Sequence, residues 1–216
     1  MADTVKNRRS YDNRGRTEQA RHNRRRILAA AHELLLAHGY RATTMADIAR
    51  AAGVSVETVY KAFKTKATLV KAAYDLALVG DDEPIPLAER PEYQALFTDP
   101  DPVSKLRRHA AIARMVSERI GPLSAVLVAG ARSGGDPDLE ALAATTDQER
   151  LIGATALVTH LGATGGLRPG LDHDRARDTV WALISPDLYR LLVLDRAWSH
   201  DDYERWLADT LIAALL

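Results

Sequence analysis

Between Ile48 and Val59 the chain reads IARAAGVSVETV, with Ala49, Gly53 and Val59 at spacings of four and six. Two helices that cross steeply need a small side chain where they touch, which Ala49 supplies. The tight turn between them needs a residue that tolerates positive φ, which Gly53 supplies. Val54 and Val59 then pin the turn and the second helix to a core. The remaining face, Val56, Glu57, Thr58 and Lys61, has no core duty and is shaped to enter a major groove. The chemistry on offer is therefore recognition of base edges and phosphates. Glu57 has two readings: its carboxylate accepts from cytosine N4, or it only complements the positive end of its own helix.

Other constellations are weaker. Asp172-His173-Asp174 with Asp178 offers metal-ligand atoms, but acids crowd the first turn of any helix to complement its dipole, and no metal site is expected. The glycines at 162, 165, 166 and 170 lack the Lys-Ser/Thr ending of a phosphate loop and read as helix stop and turn. His160 and Met115 lie on largely apolar helices, where packing explains them better than the lining of a ligand cavity. No Ser/His/Asp or paired-carboxylate arrangement stands out, so neither enzymatic activity nor a cofactor is expected. The rival is an enzyme, a recombinase or nuclease, that uses the helix-turn-helix only for targeting and carries acidic metal ligands elsewhere.

The formal net charge is zero, yet the two parts of the chain are opposites. Residues 1–66 hold 14 Lys/Arg against 6 Asp/Glu, net +8, and residues 67–216 hold 15 against 23, net −8. A basic head on an acidic body suits a chain with one end that meets phosphate. The sequence has no cysteine, which removes disulfides and Cys-based zinc sites and suits a reducing cytoplasm. The N-terminal MADTVKNRRS has no apolar run of a secretory signal. The longest uncharged stretch, Leu151 to Leu167, is 17 residues with four glycines, short of the roughly 20 apolar residues that span a bilayer. No membrane segment and a cytoplasmic location are expected.

The elements that position these residues are helical throughout. Residues 1–20 are polar and Arg-rich without apolar periodicity, and read as a flexible basic arm. A helix from Arg21 carries Ile27, Leu28, Ala31, Leu34 and Leu35 to a stop at His38-Gly39. Thr44 with Asp47 forms a capping box for a second helix, Ser55 caps a third, and Thr65 opens a fourth that runs to Gly80. Asp81 to Pro102 carries five prolines and reads as a junction with room for a short helix at Pro91 to Phe97. Beyond it, helices are expected at 103–120, 123–132, 137–161, 173–184, 187–197 and 201–216. The fold class is all-α, with an arm at 1–20, a DNA-binding head at 21–81 (helix-turn-helix about 44–63), a junction at 82–102 and a helical body at 103–216.

The residues Gly39-Tyr40, Thr43-Thr44, Ile48-Ala49, Ala52-Gly53-Val54-Ser55, Thr58-Val59-Tyr60, Phe63, Lys66 and Leu69 make the first 80 or so positions resemble the TetR family of transcriptional regulators. That resemblance implies a three-helix head joined through a fourth helix to a ligand-binding and dimerisation body. It implies that Thr44 and Tyr60 touch phosphates, Ser55 caps the recognition helix, Thr58 faces the groove and Lys66 meets phosphate. The DNA-contacting set is expected to be Thr44, Ser55, Val56, Glu57, Thr58, Tyr60, Lys61, Lys64 and Lys66. Val56 stands where the family often has a basic residue, and Glu57 where a small one is common. Both lie where bases are read, so the operator sequence stays open.

The C-terminal stretch from Trp181 to Leu216 resembles the family's last two helices, which pair subunits as a four-helix bundle. Trp181, Ile184, Leu188, Leu191, Leu192, Trp206, Leu207, Leu211 and Leu215, with Ile212 and Leu216, offer more apolar area than one helical face of a monomer needs to bury. The expected partners are a double-stranded operator, a second copy of the chain and an unidentified small-molecule effector whose ligand residues the sequence does not name. Repression is the expected outcome of binding, with activation the alternative.

Overall fold

A computed structural model describes residues 4–216 except 82 and 84, with side chains from residue 15 onward. Ten α-helices account for most of it, without a strand among the described residues. The chain divides into two compact units, one through Leu76 and one from Ala77.

The first unit is the head. α1 (Thr4–Ala42) is interrupted at Gly39, whose φ of 77° and ψ of 173° break the helical path where the sequence predicts a stop. α2 (Met45–Ala52), α3 (Val56–Phe63) and the start of α4 (Lys66–Val79) follow. Ile27, Ala31, Ile48, Ala49, Val59, Phe63 and Leu69 form its core, each almost wholly buried. The arm expected over 1–20 is corrected from Thr4 onward: these residues extend α1, while residues 1–3 lie outside those described. The physical reason is compositional, because residues 16–26 are rich in Arg, Gln, Glu and Ala, which favour helix without any apolar face. An i,i+4 hydrogen bond from Gln19 to Asn23 at 3.1 Å adds to this.

The second unit is the body. It contains a 3₁₀ turn at Leu87–Glu89, α5 (Pro91–Thr98), α6 (Pro102–Arg132), α7 (Pro137–Ala163), α8 (His173–Leu183), α9 (Pro186–Tyr189) and α10 (His200–Leu215). The segment expected as a junction belongs to this unit: Leu96 of α5 is fully buried, and α5 packs on α6 and α7. Asp101, Asp136, Asp172, Ser185 and Ser199 each accept a backbone N–H at a helix start. α10 lies against α6 and α8, and α7 against both. The core between them is built from Leu106, Ala110, Leu157, Leu161, Val180, Tyr189, Tyr203, Leu207, Leu211 and Leu215.

Two expected helices, 103–120 and 123–132, are one, since α6 runs through Gly121-Pro122. A proline inside a helix removes one ladder hydrogen bond, yet here Pro122 lies on the exposed side while Ile120, Gly121, Leu123 and Ser124 beside it are buried. Gly121 has a packing reason of its own. A Cβ there would lie 2.9 and 3.0 Å from ring carbons of the buried Tyr189. In an exposed helix Gly→Ala gains roughly 0.5 to 1 kcal/mol, whereas Gly121→Ala is expected to lose about 1 to 3 kcal/mol through overpacking. Urea unfolding of the two proteins reads the sign.

The helix expected over 187–197 becomes α9 followed by a π-helical turn at Arg190–Asp195, closed by Ala197 at a φ of 57°. The expected dimer set separates on burial. Leu207, Leu211 and Leu215 are fully buried in the chain's own core, which corrects their placement: spacing puts them on one face of α10, and α6 and α8 already cover that face. Trp181, Ile184, Leu192 and Trp206 are half-buried at the edge of the core, and Leu188 is half-buried too. Arg150 stacks on the Trp181 ring at 4.6 Å. Leu191 is 43 % exposed and is joined by Leu194 and Trp198, which the sequence reading did not single out.

Candidate nucleic-acid interface

The helix-turn-helix is built by local chemistry at each corner. Thr44 and Asp47 close a reciprocal box: the Asp47 N–H donates to Thr44 Oγ1 (3.1 Å) and the Thr44 N–H donates to Asp47 Oδ2 (3.2 Å). The Thr44 hydroxyl, which donates to Asp47 Oδ2 at 2.5 Å, and then the Thr44 N–H and Arg50 hold the Asp47 carboxyl below its ordinary pKa. Buried Thr43 secures the end of α1 by donating to the carbonyls of Gly39 (2.8 Å) and Leu34 (3.1 Å). Gly53 ends α2 in the left-handed region at φ 62° and ψ 39°, and a side chain there would also collide with the Arg26 guanidinium. Ser55 then caps α3 through the Thr58 N–H at 3.2 Å.

Val59 and Phe63 anchor α3 from within, and Arg24 covers the Phe63 ring at 4.6 Å. Outward, Val56, Glu57, Tyr60, Lys61 and Lys64 are all exposed, Tyr60 to 50 %. The expected face is therefore presented as one surface. Ser55 and Thr44 are exposed beside it. Thr58 is half-buried and its hydroxyl pairs with that of Ser55 at 2.8 Å, so it serves the cap as well as the groove side. Lys64 sits at the centre of a γ-turn, φ 59° and ψ −53°, closed by the Thr65 N–H on the Phe63 carbonyl. That positive-φ turn is rare for a residue with a side chain, and Lys64 is exposed there.

Lys66 departs from the phosphate-facing position that the resemblance implies. Its ammonium donates to the Tyr40 carbonyl and lies 3.8 Å from the centre of the Tyr40 ring. The carbonyls at the end of α1 carry the negative end of the helix dipole, which draws the cation inward. Lys66 thus clamps α4 onto α1. Lys66→Ala is expected to cost the head about 1 to 2 kcal/mol, the scale of a charge-assisted hydrogen bond with a cation–π contact. The salt dependence of DNA binding should stay as it was. Thermal unfolding and titrations at two salt concentrations check this, and an unchanged melting point with a slope reduced by about one would restore a phosphate contact.

The family model of bacterial regulatory proteins, tetR family, matches residues 27–73, the stretch that holds every corner just described. Over 168 residues, 77 % of each chain, the sequence is 30 % identical to the HTH-type transcriptional regulator YdeS of Bacillus subtilis (strain 168). The chain belongs to the TetR family. Among solved structures, NalD of Pseudomonas aeruginosa, described as the secondary repressor of the MexAB-OprM multidrug efflux pump, superposes with a TM-score of 0.69. It is 22 % identical, over 92 % of this chain and 98 % of that one. FadR from Bacillus subtilis, determined in complex with stearoyl-CoA, gives 0.68 at 18 % identity over 88 % and 98 %. At these identities the two share the fold, and both extend it through the body.

This TetR-family protein is a transcriptional regulator with a helix-turn-helix head. Among the described residues no helix is long and apolar enough to cross a membrane, and no group of three or more His, Cys, Asp or Glu is placed to hold a metal ion. The three acids once in view for a metal have other partners: Asp172 caps α8 through the Arg175 N–H, and Asp174 and Asp178 both pair with Arg177 at 2.8 Å. Sequence reasoning missed the polar groups inside the body. Lys105, His109, Ser117 and Ser124 are all buried there. Their one legible signal is position, since they interrupt an otherwise apolar helical repeat along α6.

Proposed function

We propose that this regulator is a cytoplasmic, homodimeric repressor that binds a near-palindromic operator and releases it when a small-molecule effector occupies the body. The observation that carries the reading is the surface of α3, where Val56, Glu57, Tyr60, Lys61 and Lys64 face outward while Val59 and Phe63 are buried beneath them. The +8 charge of residues 1–66 supports the same surface as a phosphate neighbour. Pairing of two copies through the outer sides of α8 to α10, by Trp181, Ile184, Leu188, Leu191, Leu192 and Trp206, places two recognition helices on two half-sites. Effector control requires a ligand that binds the two states with different affinity. The stearoyl-CoA complex of the FadR relative supports a body able to take an organic ligand.

Selection of bound sequences from random DNA tests the whole reading, with a two-fold related consensus as the expected result. Repetition with candidate small molecules tests release. Retention of no sequence over random DNA would overturn it, and cleavage of plasmid in the presence of divalent metal would favour a targeted enzyme instead.

The selected consensus also separates the two roles of Glu57, which is exposed in the first turn of α3. If its carboxylate reads cytosine, Glu57→Ala flattens preference at one symmetric pair of positions by about 1 to 3 kcal/mol. If it serves only the helix dipole, the same change raises affinity for all sequences and keeps their ranking. We expect the first, because a carboxylate facing DNA must offset phosphate repulsion by a specific bond. Binding to single-position operator variants checks it.

A further inference from the structure

We propose that the body binds small organic carboxylates, with Lys105 and His109 of α6 taking the anionic head and Tyr93, Phe97 and His160 flanking the organic part. This rests on the effector reading above and names the class of ligand.

Lys105 is 1 % exposed, and its ammonium has no hydrogen bond or ion pair to another described residue. One helical turn later, on the same side of α6, His109 is 5 % exposed with neither ring nitrogen partnered. Burial pushes its pKa down to about 4, so at neutral pH the ring is uncharged and keeps one N–H to donate. Asp99, whose carboxylate feels the charge of Lys105, is held more strongly by the Ser104 hydroxyl (2.7 Å), the Asp101 N–H (3.1 Å) and Arg108 (3.7 Å). A buried ammonium that has only the already engaged Asp99 to answer its charge, with an orphaned ring donor one turn away, is costly for a chain to keep, and one carboxylate would serve both.

The surroundings suit the remainder of such a molecule. The charge of Lys105 reaches His160 of α7 and, after burial, helps to lower its pKa. Phe97 of α5 meets the His160 ring edge-on at 5.3 Å, and Tyr93 meets Phe97 at 5.7 Å. Leu106, Leu157 and Leu161 belong to the buried apolar core of α6 and α7. The single positive charge selects a singly charged head, because a phosphate dianion would bring in an unbalanced negative charge.

The test uses the full-length protein with benzoate and decanoate as probes, against their methyl esters and decylammonium. Thermal shift reads binding and operator titration reads release. Carboxylates are expected to raise the melting point, and the esters and the amine are not. Lys105→Met is expected to weaken carboxylate binding by more than about tenfold. His109→Phe, which keeps the packing, should weaken binding without unfolding the body. Esters that bind as well as acids, no binding of either acid, or a Lys105→Met protein that binds carboxylate unchanged would each overturn the proposal. Carboxylates that bind through Lys105 without releasing operator would uphold it and sink effector control. Release by the amine alone would do the reverse.

Discussion

Between about 50 and 200 mM salt, operator affinity is expected to fall by roughly 10³ to 10⁵-fold, the loss that follows from about six to ten phosphate contacts. Each head exposes Lys61 and Lys64 beside the recognition face and Arg21, Arg25 and Arg26 along α1, and in the proposed dimer two heads would double them. Every phosphate neutralised by a cation releases condensed counterions, which makes the logarithm of affinity linear in the logarithm of salt. The body, net −8 over residues 67–216, should add nothing to the slope. Fluorescence anisotropy with the selected operator at four salt concentrations measures it. Affinity that holds steady over that range would mean that the basic head does not lie against the backbone.

Leu211→Ala is expected to destabilise the folded chain by about 2 to 5 kcal/mol, the cost of a cavity in a closed core. Leu191→Ala should leave the subunit within about 0.5 kcal/mol and loosen the dimer instead. The contrast follows from burial: Leu211 is fully covered by its own chain, and Leu191 is 43 % exposed. Denaturant unfolding at two protein concentrations, together with sedimentation, separates the outcomes. Subunit stability should drop for the first variant, and for the second the mass should shift toward that of one chain. Equal and large loss of subunit stability from both would place Leu191 in the core too.

The corners of the head were legible because their signals are local. A capping hydroxyl, its partner three residues on and a left-handed glycine all act within about one turn of the backbone, so Thr44, Asp47, Gly53 and Ser55 can be read without knowing what lies across from them. The outward face of α3 follows in the same way from the inward pair Val59 and Phe63. Lys66 was not legible in this sense, because its partner, the Tyr40 carbonyl, is 26 residues away. Neither was the π-helical turn after α9, for which the composition of Arg190–Asp195 holds no evident signal.

What the sequence by itself determined is the all-α class, the helix-turn-helix with its exposed recognition surface, the basic head and acidic body, and the places where most body helices begin. Tertiary structure decided which stripe of each helix is spent on the chain's own core. Helical periodicity groups Leu207, Leu211 and Leu215 on one face, but only the position of α6 and α8 shows that this face is already covered, leaving Leu191, Leu194 and Trp198 outside. Tertiary structure likewise carried α6 through Pro122, made a glycine at 121 the seat of Tyr189, and buried Lys105 together with a His109 ring whose nitrogens have no partner among the described residues. The reason is one of range: hydrogen-bond caps and turn dihedrals are set by neighbours in sequence, whereas burial is set by whatever the rest of the chain brings to the opposite side.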